Sequence, residues 1–111
     1  MVLDREALLA AKPRAPQGAI VAREGSVRRE VPLGAEPISI GRDPKNGIVL
    51  DDRRVSRRHA EVRLRLGRYT LYDLQSTNGT LVNGRRIAEV VLSDEDRITI
   101  GGAELVVRLE G

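Results

Sequence analysis

Cysteine, phenylalanine and tryptophan are absent from the 111 residues; the single histidine is His59, and Tyr69 and Tyr72 are the only aromatic side chains. Without cysteine there are no disulfides, no thiolate nucleophiles and no Cys-based zinc sites, a composition compatible with a reducing compartment. One imidazole among scattered carboxylates matches neither a His-x-x-x-His pair nor an EF-hand loop, so no metal and no cofactor are expected. Aromatic poverty argues against stacking on single-stranded nucleic acid, where each platform contributes about 1–3 kcal/mol per base. Tyr69 and Tyr72, three apart on one predicted strand, point to opposite faces. Long apolar runs are missing too. Nothing approaches the ~18 consecutive apolar residues of a membrane span, and Met1–Ala11 carries Asp4, Arg5 and Glu6 ahead of a short apolar stretch, the wrong order for a secretory signal. The expectation is a cytoplasmic protein without membrane contact.

What is present is period two. Ala60–Leu66 and Ala103–Leu109 alternate apolar with polar, as do Arg97–Ile100 and Ile38–Ile40. Turn signals separate these runs: Glu24-Gly25-Ser26, Asp43–Gly47, Leu66-Gly67-Arg68 and Gly101-Gly102, and each asparagine (46, 78 and 83) precedes a glycine. Strands are predicted at 18–23, 27–33, 38–41, 47–50, 60–66, 69–74, 80–82, 85–87, 96–100 and 103–109, which makes an all-β, antiparallel sandwich with an aliphatic core. Lys12–Gly18 is a polar, proline-bearing linker. Residues 1–17 therefore read as a flexible tail, with a helical turn or two over 4–11, and 18–111 as one domain.

Charge is local. Residues 51–68 hold seven arginines against Asp51, Asp52 and Glu61, a net of +4, while residues 89–111 carry a net of −4. A confined basic region suits a small anion better than a long polyanion. The alternative use of this segment is a basic module binding nucleic-acid phosphates, with a steep salt dependence.

Four loop motifs occur where apolar runs stop: Gly41-Arg42, Ser56-Arg57-Arg58-His59, Ser76-Thr77-Asn78-Gly79-Thr80 and Asn83-Gly84. They place guanidinium, hydroxyl and amide groups in the connections between strands, where donors can converge on one anion. Taken alone, Ser56–His59 is explained by a bare basic loop. A Ser56–His59 hydrolase is disfavoured, because no Gly-x-Ser-x-Gly elbow exposes a nucleophile.

The four motifs, in this order, resemble the forkhead-associated (FHA) domain, a phosphothreonine-peptide binding module, over roughly residues 18 to 110. The resemblance implies a β-sandwich of the FHA type and a non-catalytic partner-binding function in Ser/Thr kinase signalling. The ligand would be a phosphothreonine-containing peptide or protein marked by an upstream Ser/Thr protein kinase. It assigns Arg42, Ser56, Arg57 and Thr77 to the phosphate and Asn78 to the ligand main chain after the phosphothreonine. Arg58 and Asn83 are secondary contacts, and Gly41, His59 and Gly79 are structural, with Gly41 small so that the His59 ring can approach. The chemistry is consistent: a phosphothreonine carries roughly −1.5 to −2 charges and three acceptor oxygens, and an arginine fork matches two of them at once. Some FHA proteins are regulated by a phosphorylated threonine in their own tail, but residues 1–20 contain no Ser or Thr. The ligand is therefore expected from elsewhere.

Overall fold

The computed structural model describes residues 18–110, so the expected N-terminal tail and Gly111 lie outside the described residues. Eleven strands form two sheets, and among the described residues there is no helix. The first sheet runs β2(Val27–Leu33), β1(Gly18–Glu24), β11(Ala103–Leu109), β10(Arg97–Ile100), β7(Leu81–Val82), β8(Arg85–Arg86). The second runs β4(Ile48–Val49), β3(Ile38–Gly41), β5(Ala60–Arg65), β6(Arg68–Asp73), β9(Glu89–Val91).

Period-two patterning decides which side chains meet between the sheets. Ala60 and Val62 of β5 and Tyr69 and Leu71 of β6 turn inward, and Ile98, Ile100, Leu105 and Val107 face them from the other sheet. The core is aliphatic, as the composition requires. Its one ring, Tyr69, is buried and donates to the Gly34 carbonyl at 3.1 Å; burial raises its pKa. Tyr72 lies on the opposite face of β6 beneath the Arg63 guanidinium, 4.6 Å from the ring centroid, and its hydroxyl accepts from Arg65 Nη1 at 2.8 Å. At one side of the sandwich the Arg29 guanidinium of β2 donates to the Val49 carbonyl of β4, joining the edges of the two sheets.

Two features depart from expectation. β9 is a strand that sequence patterning missed, because the stretch around Val90, Val91 and Leu92 does not alternate; it forms only by pairing with β6, Leu71 opposite Val90. And β3 pairs with β4 in parallel, Gly41 opposite Val49, within an otherwise antiparallel fold. The chain doubles back through 42–47, where Asp43 accepts from Lys45 N at its carboxylate (2.9 Å) and from Asn46 N at its carbonyl (3.0 Å). Asn83-Gly84 forms the expected tight turn with φ of 51° and 83°, whereas at Asn46-Gly47 neither residue has positive φ and the asparagine side chain is used instead.

Candidate functional site

The β3–β4, β4–β5 and β6–β7 loops meet at one end of the sandwich. The Arg42 backbone N–H donates to the Ser56 carbonyl at 3.0 Å, and its side-chain Nε donates to the Val55 carbonyl at 3.1 Å. This lays the guanidinium along the loop that carries Ser56 and leaves its exposed Nη groups at the rim. The Thr77 N–H donates to Ser56 Oγ at 3.1 Å, so the hydroxyl acts as acceptor within the protein and keeps its own proton for an outside oxygen. Arg42, Ser56 and Thr77, separated by 35 residues of chain, are thus consecutive along a hydrogen-bonded path.

Behind that path stands His59, fully buried. Its Nδ1 accepts from the Ser56 N–H at 3.0 Å, which fixes the proton on Nε2, and Nε2 donates to the Gly79 carbonyl at 2.9 Å. One neutral ring therefore ties the Ser56 loop to the Thr77 loop. Both of its nitrogens are occupied by backbone groups, so it is not placed as a base for the Ser56 hydroxyl. The reason inferred for Gly41 from the family needs correction. A Cβ at Gly41 would lie 2.2 Å from the Arg57 carbonyl oxygen and 2.8 Å from Asn46 Nδ2, so it is the Arg57 main chain, not the His59 ring, that requires the glycine. Asn46 Nδ2 itself donates to the Arg57 carbonyl at 2.7 Å and presses the loop against β3.

The Thr77 loop is organised by Asp73, a residue the motifs did not single out. One carboxylate oxygen accepts from Ser76 Oγ (2.5 Å) and Thr80 Oγ1 (2.8 Å), and the other from the Ser76 N–H (3.1 Å). Partial burial pushes this carboxyl up, but those hydrogen bonds outweigh it and leave the group below its ordinary value. Ser76 Oγ in turn accepts from the Gly79 N–H at 3.0 Å, and Gly79 sits at φ +89°, where a side chain would be strained. Patterning offered a signal that went unused: period two puts Asp73 on the inward face with Tyr69 and Leu71, where a carboxylate needs several donors.

The remaining candidates divide. Arg57 is exposed beside Ser56 with its carbonyl pinned as described. Asn78 is exposed in the Thr77 loop and donates from Nδ2 to the Arg54 carbonyl at 2.8 Å, which orients the carboxamide while leaving its oxygen outward for a donor. Arg58 turns toward Glu61, 3.9 Å away, and borders a hollow with Ser39, Asp43, Lys45 and Asn46 on the far side of the β3–β4 loop. Asn83 is taken up by its own hairpin. Its Nδ2 donates to Asp96 Oδ1 at 2.9 Å and its Oδ1 accepts from the Arg97 N–H at 3.0 Å, so both ends of the carboxamide are used away from Ser56 and Thr77.

The arginine-rich segment does not form a stripe for a polyanion. Arg54 is neutralised by Asp52, with contacts of 3.0 and 2.7 Å to its two oxygens. Hydrogen bonds from the Arg54 side chain and backbone and from the Gly102 N–H hold the Asp52 carboxyl well below the usual range. Arg63 pairs with Glu61 at 3.2 Å and Arg65 with Tyr72, both on the outer face of β5 and β6. The nucleic-acid alternative loses its geometric basis, since the contiguous charge of 51–68 is distributed over different faces and partly cancelled.

A small all-β sandwich that gathers arginine, hydroxyl and amide groups in loops at one end is a loop-presented binding module. This chain belongs to the FHA domain family, whose model matches residues 38–101, more than half of the sequence. It is 47% identical over 68 residues to the glycogen accumulation regulator GarA of Mycolicibacterium smegmatis, a match covering 61% of this chain and 43% of that protein. It is 39% identical over 95 residues to the oxoglutarate dehydrogenase inhibitor of Corynebacterium diphtheriae, covering 85% and 66%. A solved FHA domain, studied for phosphothreonine-dependent FHA domain interactions, superposes with a TM-score of 0.79 at 37% identity, covering 86% of this chain and 98% of its own. The chain spans less than half the length of the first of these relatives. No helix among the described residues is long and apolar enough to cross a membrane.

Proposed function

We propose that this chain is a non-catalytic module that binds phosphothreonine-containing peptides or proteins, with residues 18–111 as the binding unit and a Ser/Thr protein kinase upstream of its ligand. The observation that carries this reading is the meeting of three loops through the Arg42 N–Ser56 O (3.0 Å) and Thr77 N–Ser56 Oγ (3.1 Å) bonds. In this reading the Arg42 fork takes two phosphate oxygens, the hydroxyls of Ser56 and Thr77 donate to the dianion, and Arg57 adds a second cation. The outward oxygen of Asn78 accepts from the ligand main chain. Support from relatives is consistent, since two are named as a regulator and an inhibitor and a solved neighbour was studied for phosphothreonine-dependent interactions. The reaction class is recognition alone, with no bond made or broken.

Calorimetry with a phosphothreonine peptide and its unphosphorylated twin tests the proposal. The phosphorylated peptide is expected to bind and the twin not, and Arg42→Ala is expected to abolish the difference. Equal affinity for both peptides in the native chain refutes it.

A further inference from the structure

The outer face of β5, β6 and β9 carries three features that lower the stability of the domain on its own. Leu66 is fully exposed at the tip of the β5–β6 hairpin, with φ of 52° followed by 76° at Gly67. This is the geometry of the Asn83-Gly84 turn, but a bulky apolar side chain stands where asparagine is favoured, so the residue costs both backbone strain and unfavourable hydration. Arg65 and Arg68 are directly opposite each other across the two strands, a like-charge pairing that destabilises a sheet. Among the described residues no carboxylate is within ion-pair distance of either. Val91 on β9 is 46% exposed, and with Leu66 and the two arginines it borders a hollow of about 460 Å³ that Tyr72 and Glu89 also line. The six residues of β5, at about 3.3 Å each, put this hairpin tip about 20 Å from the Ser56–His59 loop that precedes the strand.

We propose that this face is a second docking surface, separate from the phosphate site and independent of phosphorylation, for a protein partner that presents carboxylates to Arg65 and Arg68 around an apolar side chain seated between Leu66 and Val91. Each unfavourable feature is then offset in the complex: apolar contact covers Leu66 and Val91, and the partner's carboxylates neutralise the two facing guanidinium groups. Glu89 decides between this partner and an anionic membrane, the other ligand that a basic patch with an exposed leucine would fit. Its carboxylate beside the hollow opposes a uniformly negative surface, and a concave site is filled by a partner side chain rather than by a plane of lipid headgroups.

The probe is an unphosphorylated peptide, Glu-Glu-Leu-Leu-Glu-Glu, titrated into the isotope-labelled 111-residue chain and followed by amide chemical shifts. Changes are expected over residues 63–72 and 89–91, and Arg42→Ala should leave them as they are. Arg68→Glu, at a side chain with no bond to any described residue, should weaken binding about threefold or more, and added salt should weaken it as well. Leu66→Asn should weaken binding while raising the melting temperature, because asparagine suits the positive φ of the turn. Vesicles of equal phosphatidylcholine and phosphatidylglycerol, sedimented with the chain, should not retain it. The inference is overturned by shifts confined to the Arg42 and Ser56 loops, by binding indifferent to both Arg68→Glu and Leu66→Asn, or by no shift over 63–72 at millimolar peptide. Retention on the vesicles that Leu66→Asn abolishes also overturns it, and assigns the face to a membrane. Phosphothreonine recognition stands or falls separately, by the calorimetry described above.

Discussion

Replacing His59 with leucine would separate the scaffold from its loops. The two side chains have similar volume, so packing in the buried site is largely kept, but leucine offers nothing to the Ser56 N–H or the Gly79 carbonyl, now bonded at 3.0 and 2.9 Å. Each buried polar group left without a partner costs about 1–3 kcal/mol, giving about 2–6 kcal/mol in all. Against a total stability of about 5–15 kcal/mol for a domain of this kind, that is a large fraction. At about 4–8 °C per kcal/mol the melting temperature falls by at least about 8 °C. Because the lost bonds anchor both the Ser56 and the Thr77 loops, phosphopeptide affinity measured well below the melting point should drop by about tenfold or more. His59→Gln, which retains a donor and an acceptor, should recover part of each loss. Thermal melts followed by circular dichroism and titration calorimetry on the three proteins check this. An unchanged melt, or a lowered melt with full affinity, would show that the ring does not couple the two loops and would refute the argument.

The contact at Gly41 predicts that Gly41→Ala must displace the Arg57 main chain, since a backbone oxygen 2.2 Å from the new methyl cannot rotate away. We expect a loss of about 1–3 kcal/mol and weakened phosphopeptide binding. Gly34→Ala, where nothing lies within 4 Å, is the silent control in the same melts and titrations. Asp73 predicts an acid limb to stability. Its folded pKa is lowered, so its contribution is present above the unfolded value of about 3.9 and is lost as pH falls through the folded one. Asp73→Asn should cost about 1–3 kcal/mol near pH 7, because an amide cannot accept from the Ser76 N–H and both hydroxyls in the same way. The gap between the two proteins, read by denaturant titration, should narrow below about pH 4; a gap independent of pH would count against the carboxylate network.

How far the sequence foretold this molecule depends on the range of the interaction involved. Alternation is local, so β5, β10 and β11 were visible within their own residues, and with them the aliphatic interior. β9 was not, because Val90 and Val91 acquire strand geometry from β6, and the parallel β3–β4 bridge was not, because its cause is the turn built on Asp43. At the site, the motif order located the loops that converge but not what makes them converge. His59 of the second motif ties two of them, and Asn46 and Asp73, outside the motifs, hold the individual loops in shape through bonds to residues up to 11 positions away. Asp73 could have been found by asking what an inward carboxylate at a strand end must bind, and the hydroxyls of Ser76 and Thr80 follow it in order.

Charge shows the same divide more sharply. A net of +4 over residues 51–68 is a sum, and a sum says nothing about which guanidinium already has a carboxylate. Folding gives Arg54 to Asp52 and Arg63 to Glu61, and sends Arg65 and Arg68, opposite each other on β5 and β6, to the outer face of the second sheet. Arg42, from outside that segment, is bound to the Ser56 loop through its main chain and Nε, and Arg57 alone of the segment stands next to Ser56 with its carbonyl fixed. Affinity for a dianion follows from the few cations whose positions are set by such bonds and whose charge is not spent inside the protein. For that reason a single substitution at Arg42 should change phosphopeptide binding far more than removal of Arg63 or Arg65, although all three carry the same charge.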